Sequence, residues 1–247
     1  MVHEIQSLVV GGQQVTCNVL LPESRVQRSA GVLLIHDIFG FTAVTRNHAT
    51  RLAEAGYTVA APEMFPAGST RGLCVLKTMR DFRRRSGTSW ATLDAARTAL
   101  IDDYGVDSGR LGAMGFCMGG GFALLFAQRA TLAVAAPFYA EVPSEVLDSH
   151  AMCPVVGGWG KRDRLFRGHG KRLADHLAAD GIDHNIALYP GVGHSYMDDH
   201  HGLLAGLGRY SPLRAAYDPV AADDSWRRVL DFFETHLLCT GSAESAT

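Results

Sequence analysis

The 247-residue chain has little excess charge of either sign, with 23 Lys and Arg residues against 25 Asp and Glu residues. Phosphate binding needs a clustered excess of basic side chains, so this composition argues against nucleic acid as an obligate partner. The one dense basic run, Arg80 to Arg85, is typical of a solvated helix face or loop. A clamp for an anionic substrate is the alternative interpretation of this run.

Paired cysteines and long apolar runs are also lacking. The five cysteines are odd in number and show no close pairing pattern, so they do not indicate a disulfide framework. No uninterrupted apolar stretch is long enough to cross a bilayer, and the first residues do not show the basic and apolar regions of a signal peptide. We therefore expect a cytoplasmic protein, monomeric or homodimeric, with no membrane partner.

Metal-ligand and nucleotide-binding patterns are missing as well. The nearest approach to a metal site is Asp198, Asp199, His200 and His201. Adjacent side chains rarely point at one ion, and no Cys or spaced His completes a tetrahedral set. No phosphate-loop motif occurs, and no dinucleotide motif follows the first strand. The sequence therefore predicts neither a metal site nor a nucleotide site.

What the sequence does contain is an alternation of short apolar runs with longer helical patterns. Strands are predicted at residues 15–21, 31–35, 57–61, 110–114, 132–136, 155–159 and 185–189, and helices at 45–55, 90–103, 121–129, 171–179 and 223–237. This order is typical of an α/β fold, a mostly parallel sheet with helices on both faces. We expect one domain over residues 1–247, with a frayed tail after about residue 238.

The C-terminal ends of parallel strands lie along one edge of the sheet, where such folds bind ligands. One strand end meets the motif Gly115 to Gly119, G-F-C-M-G, just before a predicted helix. This context predicts a nucleophile elbow, in which a sharp turn lifts Cys117 above a helix N-terminus that favours the thiolate. A glycine-rich turn with a buried, inert cysteine is the alternative.

Two later loops supply partners for Cys117. Asp163 and His194 follow predicted strands in the order nucleophile, acid, base that the α/β-hydrolase fold uses. We predict that His194 accepts the thiol proton and that Asp163 orients the imidazole. A helix cap for Asp163 and a surface position for His194 are the alternatives. Backbone N–H groups of Met118 and Ile38 are the predicted oxyanion hole.

Several of these segments together resemble the dienelactone hydrolase (carboxymethylenebutenolidase) family. They are G-F-C-M-G-G, H-D-I-F-G-F, the Asp163 loop and Y-P-G-V-G-H-S-Y, and the resemblance runs from about residue 31 to residue 237. It implies an α/β-hydrolase that cleaves esters or lactones without a cofactor. It also implies that an acidic residue in the first loop tunes the thiol. That residue is Asp37 here, one methylene shorter than the family's Glu, and mere support of its own loop is the alternative role.

The same resemblance points to the substrate pocket. Members of the family that cleave dienelactone hold its carboxylate with two arginines, and one of these positions, four residues after His194, is Asp198 here. A carboxylate at that place would repel an anionic ligand. The other clamp falls within Arg80 to Arg85, where we choose Arg83. Tyr139 resembles a pocket aromatic of the family, with ordinary core packing as the alternative.

Together the residues predict a hydrolase of small esters or lactones that works through a Cys117 acyl-thioester. The alternative is a non-catalytic protein that binds small molecules on a hydrolase scaffold, because a fold does not fix a function. A binding protein has no need for an intact nucleophile, acid and base, and this argues for the enzyme.

Overall fold

The computed structural model describes residues 1–23, 29–65, 70–148, 150–199, 208 and 210–238. The predicted frayed tail, together with His200 and His201, lies outside these residues. The strands are β1 Val2–Val10, β2 Gln13–Leu21, β3 Gly31–Ile35, β4 Thr58–Pro62, β5 Leu111–Phe116, β6 Val134–Phe138, β7 Val155–Gly160 and β8 His184–Tyr189. The helices are α1 Ala43–Glu54, α2 Arg71–Arg84, α3 Thr88–Asp102, α4 Met118–Arg129, α5 Ser144–Leu147, α6 His169–Ala179 and α7 Pro219–Phe233.

The eight strands form one sheet in the order β1-β2-β4-β3-β5-β6-β7-β8. β1 pairs with β2 and β2 with β4 in antiparallel fashion, and every pairing from β4 through β8 is parallel. The predicted mostly parallel sheet is thus confirmed. The parallel strands place the ends of β3, β5, β7 and β8 at one edge, which gathers the loops that follow them.

The central strands are apolar throughout because both of their faces are covered. All residues of β3, β4, β5 and β6 are buried. Leu33 and Ile35 enter the core on one face of the sheet, whereas Val32 and Leu34 enter the core on the other. Such burial on both sides explains why these strands read as continuous apolar runs in the sequence.

Three elements were not predicted. β1 lies at the sheet edge and keeps Ile5 and Val9 exposed, so it lacks the alternation of a half-buried strand. α2 carries two exposed leucines, Leu73 and Leu76, among its basic residues, which obscures its amphipathic pattern. α5 has only four residues. No helix in the described segments is both long and apolar enough to cross a membrane.

Two helix starts were predicted three or four residues late, and the other three only two residues late. α4 begins at Met118 rather than at 121, because its first turn holds consecutive glycines of low helix propensity. α7 begins at Pro219 rather than at 223. There Asp218 caps the helix by accepting a hydrogen bond from the Ala221 N–H at 3.0 Å, and proline occupies the first turn, where it is tolerated.

Candidate active site

Cys117 stands alone between a strand and a helix. β5 ends at Phe116 and α4 begins at Met118, so Cys117 must make the whole turn, with φ +53° and ψ −117°. The turn is fixed by the Cys117 N–H, which donates to the Phe138 carbonyl at 3.0 Å, and by the Gly120 N–H, which donates to the Cys117 carbonyl at 3.1 Å. A non-glycine residue with such a φ is strained, and strain of this kind is concentrated at functional sites.

The glycines on either side of the turn are required by close backbone approach. A Cβ at Gly115 would overlap the carbonyl of Gly119, and a Cβ at Gly119 would overlap the carbonyls of Ile35 and His36. The turn is therefore packed against β3 as well as against its own helix. Only glycine at these two positions allows the strand, the turn and the helix to meet so closely.

The structure brings Asp163 and His194 together from two different loops. His194 Nδ1 lies 2.7 Å from Asp163 Oδ2, and both side chains are almost fully buried. The other carboxylate oxygen accepts hydrogen bonds from the N–H groups of Leu165 at 3.0 Å and Phe166 at 3.2 Å. Asp163 thus shapes its own loop without capping α6, whose N-cap is Gly168, while one oxygen stays directed at the imidazole.

The second ring nitrogen of His194, Nε2, lies on the side of the ring that neighbours Cys117. No group in the described segments makes a well-formed hydrogen bond with Nε2. Burial alone would lower the pKa of His194. The hydrogen bond with Asp163 and the interaction with the neighbouring Cys117 thiol outweigh burial and raise that pKa to about 10. Cys117 itself is half-buried, so a reagent or substrate can reach it. The pair can therefore exchange a proton.

Two backbone N–H groups are available for an oxyanion. Within the described residues, neither the N–H of Ile38 nor that of Met118 has a hydrogen-bond acceptor. Met118 opens α4, where the N–H groups of the first turn have no partner inside the helix. These two N–H groups therefore remain the candidates for an oxyanion hole.

His36 is a site residue that the sequence interpretation missed. Its Nδ1–H donates to the Asp37 carbonyl at 2.6 Å, and its Nε2 accepts from the Met64 N–H at 3.1 Å. Burial lowers the pKa of His36 to about 4, so the ring is neutral in this arrangement. His36 therefore fixes the first loop, and its place inside the H-D-I-F-G segment was the available signal.

Asp37 is buried in that same loop. Its Oδ1 accepts from the Phe39 N–H at 2.7 Å, which is the bond expected if Asp37 supports its own loop. Burial, followed by the nearby carboxylate of Asp198, raises the pKa of Asp37 to about 7, although the charges of His194 and Arg71 partly offset the rise. Asp37 is thus close enough to the triad to influence it and titrates near neutral pH.

The expected direct role of Asp198 in substrate binding needs correction. The Asp198 side chain is 2% exposed, with Oδ1 at 2.9 Å from His48 Nε2 and Oδ2 accepting from the Tyr139 hydroxyl at 2.8 Å. Since both oxygens are engaged inside the protein, the carboxylate does not line an open pocket. Tyr139 is fully buried too, which agrees with the core-packing alternative.

Arg83 also lies elsewhere than a clamp requires. It is exposed in the last turn of α2, twelve residues after Arg71 and hence about 18 Å further along the helix. Arg71, in the first turn of α2, is the cation whose charge acts on Asp37. The basic group near the site is therefore Arg71, outside the run Arg80 to Arg85 that the sequence singled out.

One cavity in the described part of the chain does not include Cys117, Asp163 or His194. It has a volume of about 400 Å³ and lies between the start of β2, the end of β4 and the helices α2 and α3. Met64 and Phe65 separate it from His36. The chemistry of Cys117, Asp163 and His194 is therefore located by their own geometry. Within the described residues no cluster of His, Cys, Asp or Glu is arranged to hold a metal ion.

The sheet topology and the strained turn at the end of β5 define the class of this protein as an α/β-hydrolase. The model of the dienelactone hydrolase family matches residues 17–237. A carboxymethylenebutenolidase from Rhodococcus opacus is 32% identical over 231 residues, which are 86% of this chain and 83% of the relative. The chain belongs to the dienelactone hydrolase family and is an ester or lactone hydrolase.

A solved structure shows the same fold. The crystal structure of a dienelactone hydrolase-like promiscuous phosphotriesterase from metagenomic libraries matches with a TM-score of 0.79, covering 95% of this chain and 98% of that chain. Its sequence identity is 23%, so this similarity concerns the fold alone.

Proposed function

We propose that this protein hydrolyses small, uncharged esters and lactones by nucleophilic attack of Cys117. The observation that carries the proposal is the buried Asp163–His194 pair, 2.7 Å apart, beside a half-buried cysteine held in a strained turn. Strain at a non-glycine residue costs stability, and burying an acid–base pair carries a desolvation penalty. Their coincidence at one sheet edge is explained by catalysis.

The first half of the reaction forms an acyl-enzyme. His194 Nε2 takes the thiol proton, and the Cys117 sulfur attacks the carbonyl carbon of the substrate. The negative charge that develops on the carbonyl oxygen is stabilised by the N–H groups of Met118 and Ile38. His194 then returns the proton to the leaving alkoxide, which departs as an alcohol and leaves a thioester on Cys117.

The second half hydrolyses that thioester. His194 removes a proton from water, and the resulting hydroxide adds to the thioester carbonyl. The sulfur leaves, receives the proton back from His194, and the carboxylic acid is released. Throughout, Asp163 holds Nδ1 protonated and stabilises the imidazolium. When the substrate is a lactone, alcohol and acid are two ends of one product.

The surroundings of the loops favour an uncharged, small substrate. Ile38, Phe39 and Leu165 are 37%, 43% and 60% exposed on the loops that carry the site residues. They offer apolar contact area to an acyl or alcohol group. Asp198 stands where the resemblance places an arginine, so this position provides no cation that could bind a substrate carboxylate. Because one relative is named carboxymethylenebutenolidase, a dienelactone is the anionic compound whose hydrolysis should be compared with that of the uncharged substrates.

The test is hydrolysis of a panel of lactones and p-nitrophenyl esters by the wild type, Cys117→Ala and Cys153→Ala. Cys153 is a second half-buried free thiol and is the matched control. We expect Cys117→Ala to abolish turnover and Cys153→Ala to retain it. Full activity of Cys117→Ala, with the substitution verified by mass spectrometry, would refute the proposal. Binding without turnover by the wild type would favour the non-catalytic scaffold.

A further inference from the structure

Three buried polar side chains form a group behind the triad. His48 comes from α1, Asp198 from the loop that also carries His194, and Tyr139 directly follows β6. Asp198 joins the other two, with 2.9 Å to His48 Nε2 and 2.8 Å to the Tyr139 hydroxyl. All three side chains are buried, so this group links three elements of the fold by polar contacts that water does not weaken.

Tyr139 and His48, at the two ends of the group, contact residues of the candidate active site. The Tyr139 ring meets the His194 ring edge to face, with centroids 5.0 Å apart and planes at 62°. The His48 ring stacks on Phe116, the residue before Cys117, with centroids 4.2 Å apart and planes at 22°. Asp198 therefore connects the Tyr139 ring, which packs against His194, with the His48 ring, which stacks on Phe116 beside Cys117.

Tyr139 is held in place against a conformational cost. Its φ is +39°, which is unfavourable for an aromatic residue. The Tyr139 N–H donates to the Gly158 carbonyl at 2.8 Å, and its hydroxyl donates to Asp198. Burial and the adjacent Asp198 carboxylate raise the pKa of the Tyr139 phenol well above its usual value, so the hydroxyl stays protonated as a donor. Such strain persists only where the surroundings fix it.

We propose that Asp198, held by His48, is a positioning residue that keeps the Tyr139 ring against His194 and so aligns the imidazole with Cys117. The bond to Asp163 fixes one nitrogen of His194 but leaves the ring free to pivot about that bond. Tyr139 packs against the ring at 5.0 Å and Phe166 stacks on it at 5.4 Å, which removes this freedom. Catalytic groups need such support because small misplacements are costly. The inference rests on the proposed function in taking His194 as the base.

The test compares Tyr139→Phe with Tyr196→Phe. Each substitution removes one hydroxyl from a fully buried tyrosine, but the Tyr196 hydroxyl bonds Ser225 Oγ at 2.8 Å rather than Asp198. With p-nitrophenyl acetate, we expect Tyr139→Phe to lower kcat by about tenfold to a hundredfold with KM nearly unchanged, since misplacement of about 1 Å can cost that much. Tyr196→Phe should keep the wild-type kcat at a comparable loss of Tm.

A second pair of variants tests Asp198 itself. Asp198→Asn retains an oxygen that can accept from Tyr139 and should keep most of the kcat, whereas Asp198→Ala should fall to the level of Tyr139→Phe. If Asp198→Asn were as impaired as Asp198→Ala, or if Tyr139→Phe matched Tyr196→Phe in kcat, the positioning role would be refuted.

Labelling of Cys117 by iodoacetamide separates this inference from the proposed function, because it needs no substrate. Misalignment of His194 should slow labelling near neutral pH in Tyr139→Phe but not in Tyr196→Phe. If the wild type hydrolysed no ester but Cys117 were labelled more slowly in Tyr139→Phe than in Tyr196→Phe, the proposed function would be refuted and the positioning role supported. Normal hydrolysis with identical labelling of both variants would refute the positioning role and leave the function standing.

Discussion

At the scale of single residues, the protonation of the site depends on how burial and neighbouring groups shift the pKa values of its carboxylates. Asp37, Asp163 and Asp198 are three buried carboxylates near one thiol, and they are not equivalent. Asp163 pairs with His194, and Asp198 with His48 and Tyr139. The pKa of Asp37 is raised to about 7. Close carboxylates without a cation between them cannot all ionise at low cost, so one of them retains its proton longest.

The first prediction concerns Asp37 and the thiol. Below about pH 6 Asp37 is largely protonated and does not oppose the thiolate, so wild type and Asp37→Asn should label with iodoacetamide at similar rates. Above its pKa of about 7 the carboxylate is charged, and Asp37→Asn should label faster. The measurement is a pH series of labelling rates. A large advantage of Asp37→Asn already at pH 6 would contradict this expectation.

The same raised pKa has a consequence for stability. The folded state holds a proton on Asp37 that the unfolded state, with an ordinary pKa of 3.8, has released. The free energy of unfolding should therefore decline as the pH rises from about 4 to about 7. Asp37→Asn should flatten this decline in urea denaturation. An equal slope for wild type and variant would show that Asp37 does not titrate in this window.

His194 gives a prediction of the same sign in a higher pH window. Its pKa is raised to about 10 because the bond to Asp163 and the Cys117 thiol outweigh burial, so the stability it contributes is present below pH 6.5 and lost as the pH rises through 10. Asp163→Asn should reduce that contribution and lower kcat by about 10⁴ through the wrong imidazole tautomer. Urea titrations at pH 6 and pH 10, with steady-state kinetics, check both. A kcat within tenfold of wild type would exclude the orienting role.

At the scale of elements, the turn between β5 and α4 is decided by backbone contacts. A methyl group at residue 119 would overlap the carbonyls that end β3, so the helix could not begin where it does. The glycines that lower helix propensity in α4 are thus the residues that allow its N-terminus to approach the sheet. The sequence indicates a poor helix start at this place, and the structure supplies the reason for it.

This contrast predicts opposite effects of one substitution at two helical glycines. Gly119→Ala should lower Tm and abolish turnover because the elbow must shift. Gly72→Ala, in the exposed first turn of α2 with no atom near the added methyl, should leave turnover intact and stabilise by about 0.5–1 kcal/mol. Thermal melts and ester kinetics of both variants are the measurement. Retained activity in Gly119→Ala would mean that the close approach is not required.

At the scale of the whole molecule, the proposed preference for uncharged substrates depends on where the charges lie. Asp198, at the position where the resemblance places an arginine, is sealed in the interior with His48 and Tyr139. Arg71 is a cation whose charge acts on Asp37, and it is exposed. An exposed cation is screened by water and salt and gives a weak hold on a carboxylate. The proposed function therefore favours uncharged substrates.

We therefore expect higher kcat/KM for uncharged esters than for a dienelactone acid. Arg71→Met should lower kcat/KM for the acid more than for the esters, while Arg83→Met, at the far end of α2, should change neither. Replacing Asp198 by arginine should impair both activities, because it removes the acceptor of Tyr139. Better turnover of the acid than of the esters would contradict this selection.

The sequence by itself determined the α/β order, the elbow and the chain order of Cys117, Asp163 and His194. These features are local: strand and helix periods, glycines two residues either side of Cys117, and loops after strands. Because the central strands are buried on both faces, they could also be recognised in the sequence as continuous apolar runs. The edge strand β1 and the helix α2 escaped prediction, because their exposure removes the periodic contrast on which such patterns depend.

Only the tertiary structure decided how Asp198, His48, Tyr139 and Arg71 are used. His48 and Asp198 are 150 residues apart, and no spacing rule connects them. Their pairing depends on how α1 and the loop after β8 pack over the end of β5. Hydrogen bonds between distant segments, and the pKa values that follow from burial, are properties of the assembled interior, in which the dielectric and the neighbours of a group are set by packing.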